Sequence, residues 1–523
     1  MNFGKSTLIG MSFNHQTQES TSSDNSHVAL IHALYFKLKV FPQPSQYTVL
    51  AAFYLTSSTR PDCNIISLGT GTKCLPECRL PSQGEAIHDS HAEILARRGA
   101  IRWLLEEILR ERDQGSQWIE CHEYMYRFRE GIELHMYIST VPCGDASTRF
   151  LAAFQDLEMA SLKDSTVVTH SEGTAARGRD NYHLFNVLRT KPGRADSPPT
   201  LSLSCSDKIS SWSWLGIQGA FGAKFFDRGI YIRKIIIGEV LSSKDRALIE
   251  LVSADCERAL GGRLEGGFPF DKGPYSLHKP AIWFTPIAFM HSRFVVGLGT
   301  TSTSSNESLC WYAGSLPPSP HSPARALSPS SSSSKSLSEK IEILPHSNAF
   351  GTQSGPSHIG TAQVIINGYK RGVSPKHRQK LKDDKFLPQV SKLSMLRLYA
   401  RICREVYETK IPSSFTYYDV KNGIHNSSQQ EQGRYSRDMN SAYLEAKTCL
   451  KGRSGPFSAW WNQDVVPTTA LKSDEGLSGC RNETHRGAGP ESSKDEADVQ
   501  LEIRQRRGCG HWERFNIYGE LMK

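Results

Sequence analysis

The feature that most constrains the fold is a histidine at the start of a long apolar helix, followed far along the chain by two cysteines that each come after a short apolar segment. From His91 to about residue 112, apolar residues recur on one helical face. Cys143 follows a predicted strand at 134–140, and Cys205 follows another at 201–204. Strands that alternate with helices in this way predict an α/β layered domain.

Other apolar patterns extend this prediction. Helical spacing over 27–39 predicts a second helix. Apolar runs predict further strands, and a glycine-rich turn at 68–73 precedes the long helix. These additional strands are predicted at 48–54, 230–240 and 363–366.

One histidine and two cysteines can bind zinc and leave the fourth tetrahedral position open for water, as a catalytic site requires. A thiolate at a turn that begins a helix is stabilised by backbone N–H groups. Glu93 stands two residues after His91, but Ser90 and Glu93 also fit a capping box, which the segment alone favours. Cys143 and Cys205 shift the balance towards a metal site.

Spacing separates this chain from one class of zinc enzyme. Base deaminases that carry H-x-E and P-C-x-x-C place their two cysteines three residues apart. Here Cys205 comes 62 residues after Cys143. The cytidine-type and small bacterial-type base deaminases are therefore disfavoured.

Composition limits the setting rather than the reaction. The net charge of +9 favours an anionic partner without naming it. Twelve cysteines in 523 residues are too few for a disulfide scaffold. No apolar run approaches a membrane span, and the first 26 residues have no signal-peptide core. We expect an intracellular protein of the cytoplasm or nucleus, with no membrane partner.

Composition also predicts the domain boundaries. Residues 1–26 are polar and predict a disordered lead, and 466–523 form a polar tail. The segment 313–358 contains a stretch crowded with Ser and Pro, which predicts a disordered insertion. The remaining residues between 27 and 465 are predicted to form the catalytic domain.

Five ordered motifs carry a family resemblance. They read Gly-Thr-Gly-Thr-Lys at 69–73, His-Ala-Glu-Ile-Leu-Ala-Arg-Arg at 91–98, Ser-Thr-Val-Pro-Cys-Gly-Asp-Ala at 139–146, Ser-Cys-Ser-Asp-Lys-Ile at 204–209 and Leu-Gly-Ile-Gln-Gly at 215–219. Over about 27–461 the chain resembles the adenosine deaminases acting on RNA. The resemblance implies a cytidine-deaminase-like three-layer α/β fold, with helices on both faces of a sheet and an added C-terminal part of the family. It implies hydrolytic conversion of adenosine to inosine, with zinc on His91, Cys143 and Cys205 and proton transfer by Glu93.

The same resemblance implies a buried inositol hexakisphosphate beneath the active site, which only clustered cations could neutralise. It assigns Asp89 and Lys191 to a polar relay towards the zinc ligands. Thr72 and Lys73 match a loop of the nucleotide pocket, although a plain glycine turn would explain them equally well. Three positions depart from the family, namely His88, Ser211 and Arg437. The positions that match the polyphosphate shell are Arg97, Arg98, Lys208, Trp212, Gln218, Lys370, Tyr443, Lys447 and Trp460.

Arg-Thr-Lys-Pro-Gly-Arg at 189–194 resembles the tRNA-specific branch of the family, which acts on the adenosine 3′ of the anticodon in alanine tRNA. Because the catalytic motifs begin at Gly69, we expect no separate duplex-binding module ahead of them. Two alternatives stay open at this point. One is a deaminase of double-stranded or messenger RNA, and the other is an inactive scaffold that binds RNA or phosphoinositol.

Overall fold

The structure, a computed structural model, describes residues 19–153, 174–178, 184–191, 197–242, 245–266, 273–297, 302–314, 360–373, 381, 383–423 and 434–460. The predicted polar tail lies outside the described residues. So do residues 1–18 of the predicted lead and all of the predicted insertion except Ala313 and Gly314.

A mixed sheet of eight strands forms the centre of the molecule, in the order β12-β11-β8-β2-β3-β14-β15-β16. Strands β8, β11 and β12 run parallel to one another, whereas the pairs from β8 through β2 to β16 are antiparallel. Smaller two-stranded sheets lie around it. The strands are β1 Gln46–Tyr47, β2 Leu50–Ser57, β3 Arg60–Thr70, β4 Thr72–Cys74, β5 Asp89–His91, β6 Ile119–His122, β7 Met125–Phe128, β8 Ile132–Ile138, β9 Ala176–Arg177, β10 Arg189–Thr190, β11 Ile232–Ile237, β12 Ala281–Phe284, β13 Thr303–Ser304, β14 Glu307–Tyr312, β15 Thr361–Ile366 and β16 Tyr369–Lys370.

Helices cover both faces of this sheet, as the burial of strand β2 shows. Its side chains alternate between the two faces, and all six from Leu50 to Leu55 are buried because each face is covered. Leu50, Ala52 and Tyr54 pack with helix α1 (Ser22–Leu38) on one face. On the other face the alternate residues pack with helix α2 (Ala92–Gln114). The predicted three-layer α/β architecture is therefore confirmed.

The helices divide into those that cover the sheet and those of the C-terminal part. α2 is buried along most of its length, between the sheet and the later helix α8 (Lys392–Val406). The C-terminal helix α10 (Arg434–Lys451) packs on α4 (Cys205–Leu215), where the Trp214 indole donates to the Ala446 carbonyl at 2.9 Å. The helices are α1 Ser22–Leu38, α2 Ala92–Gln114, α3 Thr148–Ala153, α4 Cys205–Leu215, α5 Gly219–Gly222, α6 Arg246–Leu260, α7 Arg293–Val296, α8 Lys392–Val406, α9 Tyr417–Asn422 and α10 Arg434–Lys451, with 3-10 turns at Glu77–Arg79, Asp145–Ser147, Val240–Ser242, Gly262–Leu264 and Ser458–Trp460.

Two local predictions differ from the structure. The predicted strand at 201–204 forms only one bridge, from Leu203 to Thr190, because the chain turns there into the N-cap Ser204 of α4. The predicted lead ends too late, since α1 begins at Ser22. Thr21 and Asp24 form a capping box, which satisfies backbone N–H groups at the start of that helix.

No helix in the described part of the chain is both long and apolar enough to cross a membrane.

Candidate active site

Three side chains from distant parts of the chain meet at one point. The Nδ1 atom of His91 lies 3.8 Å from the Cys143 Sγ and 3.6 Å from the Cys205 Sγ. Zinc bonds of about 2.0 Å to nitrogen and 2.3 Å to sulfur give a tetrahedron with edges of about 3.5 Å. The three atoms therefore fit three corners of a tetrahedral site, and the donor set suits zinc with a fourth position open.

Local structure explains why the ligands converge. His91 is the N-cap of α2, with extended backbone and no side-chain capping bond. The alternative of a capping box between Ser90 and Glu93 is therefore wrong, because the helix begins one residue later than that box requires. Cys143 follows β8, and Cys205 is the first residue of α4. All three ligands thus stand at turns between regular elements, where side chains can point towards a common centre.

Gly144 allows the two cysteine turns to approach closely. Its φ of 109° is in the region that favours glycine, and a Cβ there would collide with the Ser204 side chain. The Cys205 backbone N–H donates to the Cys143 sulfur at 3.4 Å. The hydrogen bond with the Cys205 thiol lowers the pKa of the Cys143 thiol well below its ordinary value. At least one thiolate is therefore available to a metal ion.

Glu93 stands beside this centre as a buried acid. Its side chain is 3% exposed, and no described residue hydrogen-bonds to its Oε2 atom. Burial raises the pKa of Glu93, and the nearby Cys143 raises it further. A buried carboxylate with an uncommitted oxygen is suited to exchange protons with a bound molecule.

The two residues predicted to line a nucleotide pocket adjoin the metal site. Thr72 pairs with His91 across the β4–β5 ladder, and its hydroxyl is buried with no hydrogen-bond partner among the described residues. The next residue, Lys73, donates to the Ser304 hydroxyl at 2.8 Å. Thr72 therefore adjoins a candidate metal ligand and Lys73 reaches Ser304, and the residues after Gly71 form a short strand.

The predicted relay forms a continuous hydrogen-bonded chain. Lys191 donates to the Asp89 carboxylate at 2.8 Å and to the Cys205 sulfur at 3.2 Å. The other Asp89 oxygen accepts from the His91 backbone N–H at 3.1 Å. Lys208 donates to Asp89 at 2.5 Å. Asp89 and Lys191 thus connect the candidate ligands His91 and Cys205 to Lys208. Lys208 is one of the cations predicted to bind inositol hexakisphosphate.

A second set of buried ion pairs ties the two cysteine turns together, and the sequence analysis missed it. Asp145 lies two residues after Cys143, and Asp207 lies two residues after Cys205. The Arg263 guanidinium lies 2.9 Å from Asp207 and 3.8 Å from Asp145. All three side chains are at most 1% exposed. The repeated Cys-x-Asp spacing was the available signal, whereas nothing local marked Arg263.

A group of positively charged side chains, here called the cation cluster, lies near Lys208 at the end of the relay. Arg97 stacks on Trp212, with 5.0 Å from its guanidinium carbon to the ring centroid, and its Nε is buried without a hydrogen-bond partner among the described residues. Burial lowers the pKa of Arg97 to about 10. Lys447 of α10 donates to the Lys421 carbonyl at 3.3 Å. Tyr443, one turn before Lys447 on α10, is buried.

Lys451 belongs to the same cluster, although it was not among the residues predicted from the sequence. Burial lowers the pKa of Lys451 well below its usual range, and the positive charges of Lys447 and Lys421 lower it further. Arg97 and Lys208 act in the same direction. The Lys451 ammonium lies 3.2 Å from the Trp460 ring centroid. A helical spacing of four residues from Tyr443 to Lys447 to Lys451 was the signal that could have found it.

Other predicted members of the shell are engaged elsewhere. Arg98 donates to the Val390 carbonyl at 2.6 Å. The Gln218 amide bonds to the backbone of Leu215 and of Ile230. Ser211, one of the positions that depart from the family, donates to the Lys208 carbonyl.

Lys370 departs from the expectation of an interior cation. It lies on β16, the edge strand of the sheet, and makes an exposed bond to the Lys385 carbonyl. An edge strand leaves its long side chains within reach of solvent.

Comparison with known proteins gives a consistent result. Residues 67–319 match the adenosine-deaminase (editase) domain family. The tRNA-specific adenosine deaminase 1 of Saccharomyces cerevisiae is 38% identical over 182 residues, covering 33% of this chain and 46% of the yeast protein. The protein of the same name from Drosophila melanogaster is 36% identical over 200 residues, covering 37% and 49%. Double-stranded RNA-specific editase B2 of Rattus norvegicus is 31% identical over 214 residues, covering 38% and 28%.

The chain spans about half the length of the first two of these relatives. The matched domain nevertheless contains His91, Cys143 and Cys205 together with Glu93. Because the likeness covers the residues of the site as well as the fold around them, we conclude that residues 67–319 form a domain similar to the adenosine-deaminase (editase) domain.

Proposed function

We propose that this protein is a zinc-dependent hydrolase that converts adenosine to inosine in tRNA, at the adenosine 3′ of the anticodon of alanine tRNA. The observation that carries the proposal is the meeting of His91, Cys143 and Cys205 with the buried Glu93 beside them. The match of residues 67–319 to the editase domain family supplies the reaction class. The names of two relatives, which specify tRNA, supply the substrate class.

The chain's own residues account for the proton movements of such a reaction. Zinc, when bound to the three ligands, lowers the pKa of water towards about 7 and so supplies hydroxide at neutral pH. Glu93 takes one proton from the attacking water and delivers it to the ring nitrogen beside the reacting carbon, and it then carries the second proton of that water from the new hydroxyl group to the departing amine. Water is consumed and ammonia released, so no other reactant is needed. The raised pKa of Glu93 suits a group that must both hold and release a proton.

Lys191 holds the metal site in shape during this exchange. Its ammonium contacts both the Cys205 sulfur and the Asp89 carboxylate, so it stabilises negative charge on both. Asp89 in turn fixes the backbone at His91. Such outer contacts orient metal ligands and tune their basicity.

We further propose that the cations around Lys451 bind inositol hexakisphosphate. Lys451 and Arg97 form no ion pair with a carboxylate of the described residues. The positive charges of Lys447, Lys421, Arg97 and Lys208 act on Lys451, and that of Arg98 acts on Arg97. Buried like charges without a counter-ion are strongly destabilising. A compact polyanion with many phosphates would satisfy these groups, including the Arg97 Nε.

Single-stranded RNA fits the site better than duplex RNA does in the proposed reaction. The reacting base must leave its stack to reach a buried glutamate, and a base in a loop leaves at little cost. The positive net charge favours a polyanionic substrate over free adenosine. The relative specific for double-stranded RNA keeps a duplex editase as the second candidate.

The test offers purified protein an alanine tRNA, a long perfect duplex and free adenosine, and maps inosine in each product. We expect inosine in the tRNA at the adenosine 3′ of the anticodon. Editing of the duplex at many sites with an untouched tRNA would reject the tRNA proposal and leave the deaminase proposal standing. A zinc-loaded protein that turns over none of the three would instead be a scaffold. A Glu93→Gln protein is the matched control for contaminating activity.

A further inference from the structure

Three surface segments come together beside the active site, at 43–48, 289–297 and 302–305. The strands β1 and β13 pair in parallel, with Tyr47 opposite Ser304. The Thr48 backbone N–H donates to the His291 carbonyl at 2.9 Å. These contacts hold all three segments in one continuous surface.

This surface leads directly from the metal site. His91 pairs with Thr72, the following Lys73 donates to Ser304 at 2.8 Å, and Ser304 lies opposite Tyr47. The Arg293 guanidinium carbon lies 6.0 Å from the Tyr47 ring centroid. Paired strands are about 5 Å apart, so the row extends well beyond the reach of a single nucleoside. We call Lys73, Ser304, Tyr47 and Arg293 the Arg293 row.

The chemistry of the row suits a single strand of nucleic acid. Arg293 is exposed, and no carboxylate of the described residues pairs with it or with Lys73. Phe294, the next residue, is 43% exposed. Its backbone N–H donates a hydrogen bond to the Glu239 carboxylate. Alternating cations and aromatic rings bind phosphates and stacked bases, respectively.

We propose that the Arg293 row binds the nucleotides that flank the target adenosine. Tyr47 stacks on a flanking base, and Arg293 and Lys73 neutralise phosphates on either side of it. Because the row begins at Lys73, whose neighbour Thr72 pairs with the candidate metal ligand His91, its occupant is continuous with the molecule whose base enters the site. The inference rests on the proposed function, since it takes the substrate to be RNA.

The experiment measures the affinity for alanine tRNA over a series of KCl concentrations, together with KM and kcat. For Arg293→Glu we expect a slope of log affinity against log salt that is smaller by about one unit. For Tyr47→Ala we expect binding at least about fivefold weaker, with Tyr47→Phe close to the natural protein because the ring is kept. In each case KM should rise in step with the dissociation constant.

Arg228→Glu is the matched control, because Arg228 is also an exposed arginine but lies before β11, at the opposite end of that strand from Glu239. It should leave the salt slope and KM unchanged. Folded Arg293→Glu and Tyr47→Ala proteins that bind tRNA with the natural affinity and salt slope would overturn the proposal, as would effects confined to kcat. If the natural protein forms no inosine and Arg293→Glu still weakens RNA binding, the proposed function fails and the row stands.

Discussion

Asp89 is the residue through which the candidate metal site and the cation cluster are joined. Burial alone would raise its pKa, but the ammonium groups of Lys191 and Lys208 hold the pKa of Asp89 well below its ordinary value. The carboxylate therefore stays ionised throughout the neutral range. The negative charge of Asp89 thereby stabilises Lys191, which contacts the Cys205 sulfur, and Lys208, which lies beside the other cations.

At the same scale, the two cysteines test the metal assignment. Cys143→Ala and Cys205→Ala each remove one of three protein ligands, so we expect less than one-tenth of the natural zinc content after dialysis. Elemental analysis of the purified proteins measures this. Cys256→Ala is a control, because that buried cysteine lies outside the site. Full zinc content in both ligand variants would reject the assignment.

Glu93→Gln tests the proton-transfer role. Glutamine keeps the shape of the side chain but cannot carry a proton, so we expect a folded, zinc-loaded protein whose turnover falls by at least about 100-fold. Single-turnover inosine formation measures the loss. Glu106→Gln on the same helix removes a buried carboxylate paired with Arg102, away from the ligands, and should keep turnover near the natural rate. Near-normal turnover in Glu93→Gln would make Glu93 a structural residue.

At the scale of elements, the site depends on two turns that arrive from different strands. Each turn carries a cysteine and, two residues later, a buried aspartate. Arg263, in the 3-10 turn after α6, lies between both aspartates. The Arg263 guanidinium therefore contacts both cysteine turns through their aspartates, although Asp145 pairs more closely with Arg258, at 2.5 Å.

We expect Arg263→Met to weaken zinc binding by about 10- to 100-fold, the usual cost of losing an outer contact of a metal site. Competition with a chromogenic chelator measures the affinity. Arg149→Met is the control, because Arg149 pairs with Asp255 and with neither turn aspartate. Unchanged zinc affinity in a folded Arg263→Met protein would show that the turns hold their positions without this contact.

At the scale of the whole molecule, the cation cluster draws on helices that are distant in sequence. Arg97 is in α2, Lys208 in α4 and Lys451 at the end of α10. Their mutual repulsion would oppose the packing of α10 on α4. The proposed polyanion would reverse the sign of that interaction, and would make the C-terminal part depend on the ligand.

That reversal of sign gives a test that does not use turnover. With a polyanion bound, Lys451→Met removes an attraction, so the midpoint of thermal unfolding should fall by several degrees. Mass spectrometry of the denatured natural protein should find about one inositol hexakisphosphate per chain. Lys451→Arg keeps the charge and should stay near the natural midpoint. A rise in the midpoint of Lys451→Met, with no released polyphosphate, would show that the cluster has no counter-ion.

The sequence alone determined the layered α/β class and the residues that gather at the site. Periodic apolar residues predicted α2, β2 and β11, because helix and strand patterns are local. The positions of His91, Cys143 and Cys205 beside predicted helix and strand ends indicated a ligand set, because few residue types bind zinc. The strand predicted at 201–204 was wrong, because a short apolar run there resembles a strand but leads into the N-cap of α4.

Only the tertiary structure decided which charges meet in the interior. No local pattern distinguishes Arg263, which contacts two turns, from any other arginine. Lys370 matches a position of the family's polyphosphate shell, but it lies on an edge strand. Lys451 joined the cluster because α10 packs on α4, far from it in sequence. Burial and pairing of a charge depend on what the rest of the chain brings within a few ångströms, and that distance is set by packing rather than by neighbours in sequence.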